Sequence, residues 1–422
     1  MLTPIGGVRL PVQTAPLAKQ AKLQAKGTRV YLRLPERNAY TLRVREGDAV
    51  LAGTLLATED DGTPIYSSVS GTFGGIFVNG GHEYLGVVDD AEMRKCAVCE
   101  PETRDIQDIS PSELRKKAEL LGILDIHAGD KLCRTVAKAF EASGGEPITR
   151  LVINAFDVCG GSFTNYIQAT QMPGDLIGGA KLLARMLGAG KIVLLVDADH
   201  PQAYASLKEK IGDNPLFVLG KTVVCYPMTD EMILEMLYGK RLPKGVSPAS
   251  QGMFLTDAQT VVQFCSAMLT GIPQTMRWLT AAGDGFAQQA VLQLPLGTPW
   301  QNVLAACKFK DKEPGYAAIG NSSLRGKTAK GVCEDNATTV IAAKQKTGLP
   351  TPCICCGQCA FVCPVWLQPM KILYTKKLLD KQILVNDCIG CGCCDYACPS
   401  LLPLSKLIAE YQKDAEGGAS HA

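Results

Sequence analysis

The sequence predicts a multidomain protein of mixed α/β and β class that ends in a helical, cysteine-rich domain. Three observations support this prediction. Short alternating apolar runs fill residues 27–90, apolar strand candidates alternate with helical stretches over residues 105–270, and ten of the eighteen cysteines lie between Cys353 and Cys398. A chain of 422 residues is long enough for two to four compact domains.

The N-terminal region predicts a small β domain after a lead-in at residues 1–26. Residues 27–90 carry two similar halves, VREGDAVLAGTLLA and IYSSVSGTFGGIF, each typical of a short β-meander. This pairing resembles the barrel-sandwich hybrid fold of biotinyl and lipoyl domains. The sequence SSVS at 67–70 stands where such domains carry a modified lysine. We therefore expect a structural module rather than a swinging arm.

An α/β domain is predicted next, after a linker at residues 91–110. The SPSE run that follows residue 109 is a typical helix start. The runs LVINAF, KIVLLVDA, PLFVLG and TVVCYP alternate with helical stretches, which predicts a largely parallel sheet. A small β module at residues 272–310 and a helical cysteine-rich domain at residues 345–415 complete the predicted order.

Composition and charge argue against several classes of protein. A net charge of +2 without a Lys/Arg run gives no case for nucleic-acid binding. The longest apolar stretches, such as IVLLV at 192–196, fall short of the roughly 18 residues that a membrane span needs. The N-terminus MLTPIGGVRL has neither a basic nor an apolar signal segment. We expect a cytoplasmic protein, or one bound peripherally at the inner face of the cell membrane.

The C-terminal cysteines form one motif twice, with the spacing Cys-x2-Cys-x2-Cys-x3-Cys-Pro. A [4Fe-4S] cube needs four thiolates, and three at this spacing wrap one cube in a single loop. Structural zinc sites instead use two cysteine pairs separated by a longer gap. We therefore expect two [4Fe-4S] clusters rather than zinc.

The spacing also predicts which cysteines share a cluster, because the fourth cysteine of such a motif ligates the other cluster. We expect one cluster on Cys353, Cys356, Cys359 and Cys398, and a second on Cys388, Cys391, Cys394 and Cys363. Cys355 and Cys393 lie between ligand positions and are expected not to ligate.

The order of these regions resembles the RnfC family, which includes PduS-like and PrdC-like electron-transfer proteins. The resemblance covers nearly the whole chain and is carried by the two cysteine runs, Tyr226-Pro227, LYGKRLP at 237–243 and LGTP at 296–299. It implies an α/β domain similar to the flavin-bearing subunit of respiratory complex I. It also implies that residues 272–310 form a soluble-ligand-binding β-grasp (SLBB) module. In such proteins NADH passes a hydride to FMN, which feeds electrons singly into the clusters.

The sequence departs from the family at the glycine loop that approaches the FMN phosphate. The family pattern GxGGAGFPT corresponds here to LDIHAGDKLC at 124–133, which keeps one glycine. Asp125 and Asp130 add negative charge where an anionic phosphate would have to lie. This loop favours a site that no longer holds FMN.

Two further family patterns are incomplete. The acidic stretch after the next strand is reduced to NAFDVCG, which keeps Asn154 and Asp157 but loses a second acid and a proline. MTDE replaces the glycine pair that the family has after Tyr226-Pro227. We therefore expect that FMN and NADH are not bound in the family manner, and that Asn154 and Asp157 mark a vestigial flavin region.

Four cysteines outside the two motifs are weaker candidates. Cys96 and Cys99 form a lone CxxC on the linker, which we interpret as incidental. Cys159 and Cys225 follow strand candidates, and buried thiols are the commoner case at such positions.

Two functions remain open from the sequence. The first is an electron-transfer protein whose two clusters relay electrons between a donor and an acceptor protein. The second is an enzyme, an FMN-dependent oxidoreductase that uses NADH or ferredoxin to reduce a partner protein or a corrinoid. The incomplete flavin patterns favour the first.

Overall fold

A computed structural model of the chain describes residues 6–8, 20–23, 26–35, 39–158, 161–239, 246–313, 316–320, 324–344, 348–375 and 385–418. These residues form nineteen strands and twelve α-helices. None of the described helices is both long enough and apolar enough to cross a membrane.

Residues 29–89 form two small antiparallel sheets. The strands of this region are β2 (Arg29–Arg33), β3 (Tyr40–Leu42), β4 (Ala49–Val50), β5 (Leu55–Glu59), β6 (Pro64–Tyr66), β7 (Gly71–Asn79) and β8 (His82–Asp89). The first sheet has the order β2-β8-β7-β4 and the second β3-β5-β6. Alternate residues of both sheets, including Val30, Leu32, Phe73 and Leu85, are buried in one shared core.

The segment at residues 67–70 is buried rather than presented to solvent. Ser67 and Ser70 have no exposed surface, and the Ser68 hydroxyl donates a hydrogen bond of 2.7 Å to the Leu296 carbonyl. The segment therefore lies against the later β module, in a position that a swinging arm could not occupy.

The predicted α/β domain is confirmed, with a four-stranded parallel sheet in the order β13-β12-β11-β14. Its elements are α1 (Pro111–Leu120), β9 (Leu124–Asp125), β10 (Asp130–Lys131), α2 (Leu132–Ala142), β11 (Arg150–Asn154), α3 (Thr164–Gln171), α4 (Pro173–Leu187), β12 (Lys191–Asp197), α5 (Pro201–Ile211), β13 (Phe217–Thr222), α6 (Asp230–Tyr238), β14 (Met253–Asp257) and α7 (Ala258–Thr270). Helix α1 begins with a capping box between Ser110 and Glu113. The strand order reverses at β11, and ligand crevices form outside the carboxyl ends of strands at such a point.

A six-stranded mixed sheet follows the α/β domain. Its elements are β15 (Met276–Ala282), β16 (Ala290–Pro295), α8 (Trp300–Ala306), β17 (Tyr316–Gly320), β18 (Lys327–Thr328) and β19 (Thr339–Lys344). The order is β1-β16-β15-β19-β17-β18, where β1 (Gln20–Lys22) comes from the N-terminal region and pairs in parallel with β16. The sheet thus extends beyond residues 272–310, because β19 pairs in parallel with β15.

The C-terminal region is built of short helices around the cysteine loops. They are α9 (Gln358–Phe361), α10 (Pro369–Tyr374), α11 (Cys393–Ala397) and α12 (Leu404–Gly418). Helix α9 packs against α11, so the two helices that follow the cysteine loops face each other.

Candidate cluster-binding loops and the crevice beside them

The two cysteine loops share one backbone conformation. Cys355 and Gly390, each two residues after the first cysteine of its motif, have φ values of 57° and 67°. In both loops the N–H of that residue donates to the first thiol, over 3.4 Å to Cys353 Sγ and 3.4 Å to Cys388 Sγ. Gly357 and Gly392 repeat the match, with φ values of 76° and 80°.

The pKa shifts reveal which thiols lie close together. Burial raises the pKa of Cys363, and the thiolates of Cys391 and Cys388 add to that rise. The pKa of Cys359 is likewise raised by burial and then by Cys356 and Cys353. Cys363 thus neighbours thiols of the second loop, although it follows the first loop along the chain.

The fourth cysteines lie where the two halves of the C-terminal region meet. The N–H of Leu367 donates to Cys363 Sγ over 3.3 Å. Near Cys398, the Ser400 carbonyl accepts from the N–H of Thr351, and the Ser400 hydroxyl donates to the Pro352 carbonyl, each over 3.0 Å. The chain beside Cys398 therefore lies against the first loop.

The donor set in this region fits two iron–sulfur cubes. Thiols are the ligands that such cubes use, and N–H groups aimed at cysteine sulfur stabilise the charge of a cluster. Among the described residues, no three His, Cys, Asp or Glu side chains surround a position for one metal ion. A cube makes a different demand, because each thiolate binds a separate iron and the ligands need not converge on a point.

Cys355 and Cys393, the two surplus cysteines, contact the predicted ligand thiols of Cys353 and Cys391 and also make contacts outside the ligand sets. The exposed Cys355 thiol lies 3.3 Å from the Tyr374 hydroxyl. Cys393 is fully buried, and its thiol donates to the Tyr226 carbonyl over 3.4 Å.

The second cysteine loop is docked on the α/β domain through Tyr226. The Tyr226 hydroxyl donates a 3.0 Å hydrogen bond to the Cys391 carbonyl. Val8 pairs with Tyr226 in an antiparallel bridge, and the N–H of Gly7 donates to the Val362 carbonyl over 2.9 Å. Residues 6–8 therefore join the α/β domain to the first half of the C-terminal region, and Tyr226 joins it to the second.

Tyr226 also lines a crevice at the carboxyl ends of β11, β12 and β13. The crevice has a volume of about 260 Å³ and is lined by three aspartates, Asp157, Asp197 and Asp199. Its volume lies below the roughly 300–1,000 Å³ of typical ligand pockets. Its acidic lining disfavours a phosphate-bearing ligand.

Asp157 binds the N-terminal end of helix α3. Its Oδ1 accepts hydrogen bonds of 2.7 Å from the Ser162 and Thr164 hydroxyls and of 3.1 Å from the Asn165 N–H. Its Oδ2 accepts from the Tyr166 N–H over 3.3 Å. The chain's own carboxylate therefore occupies the place at a helix N-terminus where an anion could bind.

Residues 124–131, at the position of the family's glycine loop, form a tight hairpin in which Asp125 pairs with Asp130. Its backbone donors are used within the chain. The Leu124 N–H donates to Gln274 Oε1, the Ile126 N–H to Thr260 Oγ1, and the Ala128 N–H to Asp125 Oδ1. The side chains of Leu124 and Ile126 are buried in the core of the N-terminal β domain.

Charged groups around this hairpin are paired. Asp130 binds Lys138 over 2.7 Å, and His127 Nε2 lies 2.8 Å from Asp230. Burial alone would lower the pKa of His127, but Asp230, Asp125 and Asp257 outweigh it and raise that pKa to about 9. Burial raises the pKa of Asp257 to about 6.

The buried amide of Asn154, like that of Gln168, lacks hydrogen-bond partners among the described residues. Asn154 ends β11 with no exposed surface, and this lack of partners applies to both polar atoms of its amide. Asn154 and Asp157 thus differ, since the Asp157 carboxylate is fully engaged and the Asn154 amide is not.

FMN does not fit the residues of this region. Three backbone N–H groups of the hairpin already donate to side chains of this protein, and the Asp157 carboxylate occupies the N-terminal end of helix α3. A phosphate would also face three aspartates in a crevice smaller than a typical ligand pocket.

Comparisons with known proteins show which proteins the chain resembles. Residues 128–266 match the Nuo51 FMN-binding domain. The chain is 28% identical over 390 residues to the C subunit of an ion-translocating oxidoreductase complex of Pseudomonas aeruginosa, covering 86% of this chain and 47% of that protein. It is 27% identical to the C subunit of a Na(+)-translocating ferredoxin:NAD(+) oxidoreductase complex of Acetobacterium woodii, covering 48% of this chain and 47% of that protein. The chain is thus similar to the C subunits of ion-translocating oxidoreductase complexes.

The chain spans about half the length of the curated relatives it matches, or less. A looser likeness joins it to an NAD+-reducing [NiFe]-hydrogenase, with a TM-score of 0.46 and 15% identity over 74% of this chain and 55% of that chain. The match to the FMN-binding domain begins at residue 128, so it leaves out the first residues of the altered hairpin.

The remaining cysteines have varied surroundings. Cys225 is buried, and its thiol donates to the Gly6 carbonyl over 3.6 Å. Cys96 and Cys99 are half-buried, and burial raises the pKa of the Cys99 thiol. Cys159 lies outside the described residues.

Sequence reasoning did not find the docking role of Tyr226 or the contacts of residues 6–8. Tyr226-Pro227 stood out only through the family resemblance, and Gly6-Gly7 only as part of a lead-in. No local pattern identifies a residue whose role depends on chain more than a hundred positions away.

Proposed function

We propose that this chain is an RnfC-like iron–sulfur electron-transfer protein, which relays electrons between redox partner proteins through two [4Fe-4S] clusters. The observation that carries the proposal is the repeated loop geometry, in which equivalent N–H groups donate to Cys353 and Cys388. The proximity of Cys363 to Cys391 and Cys388 supports the crossed ligand sets.

The ligands of one cluster would be Cys353, Cys356, Cys359 and Cys398, and those of the other Cys388, Cys391, Cys394 and Cys363. Cys394 supports this division, because its pKa is raised by burial, then by Asp395, and then by Cys391 and Cys388. When bound, the clusters supply one-electron chemistry. The cysteines of this protein would hold the clusters. Tyr226 shields the second loop from solvent and fixes its orientation on the α/β domain.

We also propose that the flavin step is lost. The engaged hairpin donors and the capping role of Asp157 support this, as do the acids that line the crevice. Residues 276–344 would then serve as an SLBB-like module, and residues 345–415 as a ferredoxin-like domain.

The relatives' names support the choice of partners. Each is named as the C subunit of an ion-translocating oxidoreductase complex. By analogy, the partners here would be donor and acceptor redox proteins, and the chain would associate peripherally with a membrane complex.

The test is the reduction of anaerobically purified protein, followed by visible absorbance. Dithionite should bleach the cluster absorbance. NADH alone should leave it unchanged, because no flavin is present to accept the hydride and pass its two electrons singly to the clusters. Rapid bleaching by NADH would contradict the loss of the flavin step. Failure of dithionite to bleach any absorbance would contradict the clusters themselves.

A second candidate function is an FMN-dependent NADH or ferredoxin oxidoreductase. The observation that favours it is the buried amide of Asn154, whose nitrogen and oxygen have no hydrogen-bond partners among the described residues. A bound ligand could supply those partners. Flavin peaks in the absorbance spectrum of the purified protein, lost in an Asn154→Ala variant, would establish this candidate.

A further inference from the structure

The first cysteine loop is surrounded by exposed apolar side chains. Ile354, Phe361, Trp366 and Tyr374, which we call the loop-1 surface, are 66%, 82%, 61% and 58% exposed. Ile354 precedes Cys355, whose thiol lies 3.3 Å from the Tyr374 hydroxyl. Helix α9, which ends at Phe361, packs against α10, which ends at Tyr374. Clustered exposed apolar side chains mark interaction sites on proteins.

The second cysteine loop has the opposite environment. Cys393 and Cys394 are buried, and Cys393 contacts Tyr226 of the α/β domain. In the first loop the middle ligand position, Cys356, is exposed, whereas its counterpart Cys391 in the second loop is half-buried. The first loop is therefore more open to solvent at this position.

The sequence around the loop-1 surface carries charge of one sign. Residues 336–379 contain five lysines and neither Asp nor Glu, although about four acids would be expected at the chain's average frequency. The whole chain is nearly balanced, with 43 basic and 41 acidic residues. Lys371 is exposed on α10, between Trp366 and Tyr374 along the chain.

We propose that the loop-1 surface docks a small acidic electron-carrier protein, whose redox centre lies under an apolar patch rimmed by Asp and Glu. The proposal rests on the proposed function, since it takes the first loop to hold a cluster. On docking, one electron leaves the reduced cluster, which returns to its oxidised form, and reduces the carrier's centre by one electron.

Three features favour this partner. Transient redox interfaces are small, with an apolar centre and a polar rim. Lys371, exposed on α10 in a stretch of sequence without acids, would speed the encounter with an acidic partner. Trp366 and the lysines would also suit an anionic bilayer, but a lipid surface gives no reason for the apolar side chains to gather at a redox centre.

The test uses the full chain, loaded with clusters and reduced by dithionite that is then removed. Its electron transfer to two probes is followed by stopped-flow absorbance: an acidic plant-type [2Fe-2S] ferredoxin and the basic protein cytochrome c. The rate with the acidic probe should fall about tenfold or more as salt rises to about 0.5 M, and the rate with cytochrome c should not fall.

Phe361→Asp and Lys371→Glu should each lower the rate with the acidic probe about fivefold or more at low salt. Val78→Asp is the matched control, because Val78 is 72% exposed on the N-terminal β domain, and its rate should equal that of the parent. Iron content and dithionite reduction of every variant are measured first. Missing clusters would count against the proposed function rather than against the docking surface.

With clusters intact, unchanged rates in Phe361→Asp and Lys371→Glu would overturn the inference. An opposite salt dependence, in which rising salt lowers the rate with cytochrome c and not the rate with the acidic probe, would also overturn it. Binding to phosphatidylglycerol vesicles that Phe361→Asp abolishes, without an effect on the rate, would assign the surface to a membrane instead. A dimer of the parent that Phe361→Asp splits, again without an effect on the rate, would assign it to a second copy of the chain.

Discussion

Cys355 occupies a backbone position that glycine fills in the other loop. Its φ of 57° is unusual for a residue with a Cβ, whereas Gly390 adopts a φ of 67° at the equivalent position without strain. The N–H of residue 355 nevertheless donates to Cys353 Sγ. The backbone N–H at this position therefore donates to the neighbouring sulfur in both loops.

We therefore expect Cys355→Gly to keep about eight irons per chain, the content of two cubes. Cys353→Ala should lower the iron content toward four, because it removes a thiolate that one cube needs. Iron and sulfide analysis of anaerobic preparations measures both variants. Loss of iron in Cys355→Gly would mean that the surplus thiol is a ligand and that the proposed ligand set is wrong.

His127 makes the stability of the α/β domain depend on pH. Its pKa is about 9 in the folded chain, because the stabilisation by Asp230, Asp125 and Asp257 outweighs burial. An unfolded histidine has a pKa of about 6.5. The stabilisation is therefore complete below about pH 6.5 and is lost as pH rises toward 9, and it amounts to on the order of 3 kcal/mol.

The measurement is the free energy of unfolding in urea at pH 6.5 and at pH 9, for the parent and for His127→Gln. The parent should lose more stability over this interval than the variant. Equal losses in the two proteins would contradict the ion pair with Asp230.

At the scale of residues, the cysteine spacing predicts eight ligands, because a cube imposes a fixed pattern on the chain. That ligand set stays a prediction. The sequence also indicated that Asp125 and Asp130 were unfavourable for phosphate, but for an incomplete reason. Asp130 is neutralised by Lys138, and the larger obstacle is that the hairpin's N–H groups are already bonded.

Helix α3 depends on a carboxylate that precedes it by seven residues. Asp157 accepts four hydrogen bonds from residues 162–166 and so orders the chain that enters the helix. Such caps contribute about 1–2 kcal/mol. The residue that resembles a flavin ligand therefore has a structural role here.

Asp157→Ala should lower the free energy of unfolding by about 1–2 kcal/mol, because the donors at the start of α3 lose their acceptor. Asp157→Asn is the matched control, since it keeps one side-chain oxygen and should cost less. Urea denaturation followed by circular dichroism measures both. An Asp157→Ala protein as stable as the parent would show that the cap is dispensable.

Among the elements, β11, β12 and β13 match the predicted runs LVINAF, KIVLLVDA and PLFVLG, which are long and apolar. The run TVVCYP was wrong as a strand candidate, because it holds only the last residue of β13 and a single bridge at Tyr226. The fourth parallel strand, β14, was not among the predicted runs, and neither were the later strands YAAIG and TVIAAK, which are short and rich in alanine. The parallel pairing of β1 with β16 joins segments about 270 residues apart, and no local pattern predicts such a partner.

For the whole molecule, the arrangement suggests a direction for electrons. The second loop lies against the α/β domain through Tyr226, and the first loop lies beside exposed apolar side chains. Two clusters so placed would connect a buried side of the protein to an exposed side. Residues 6–8 hold this arrangement together, because they bond both to Tyr226 and to Val362.

The most direct test of the account is the cofactor content of a single anaerobic preparation of the full chain. Iron, acid-labile sulfide and FMN are measured against protein concentration. We expect about eight irons, about eight sulfides and no FMN per chain, as two cubes without a flavin demand. About four irons or fewer, or one FMN per chain, would contradict it.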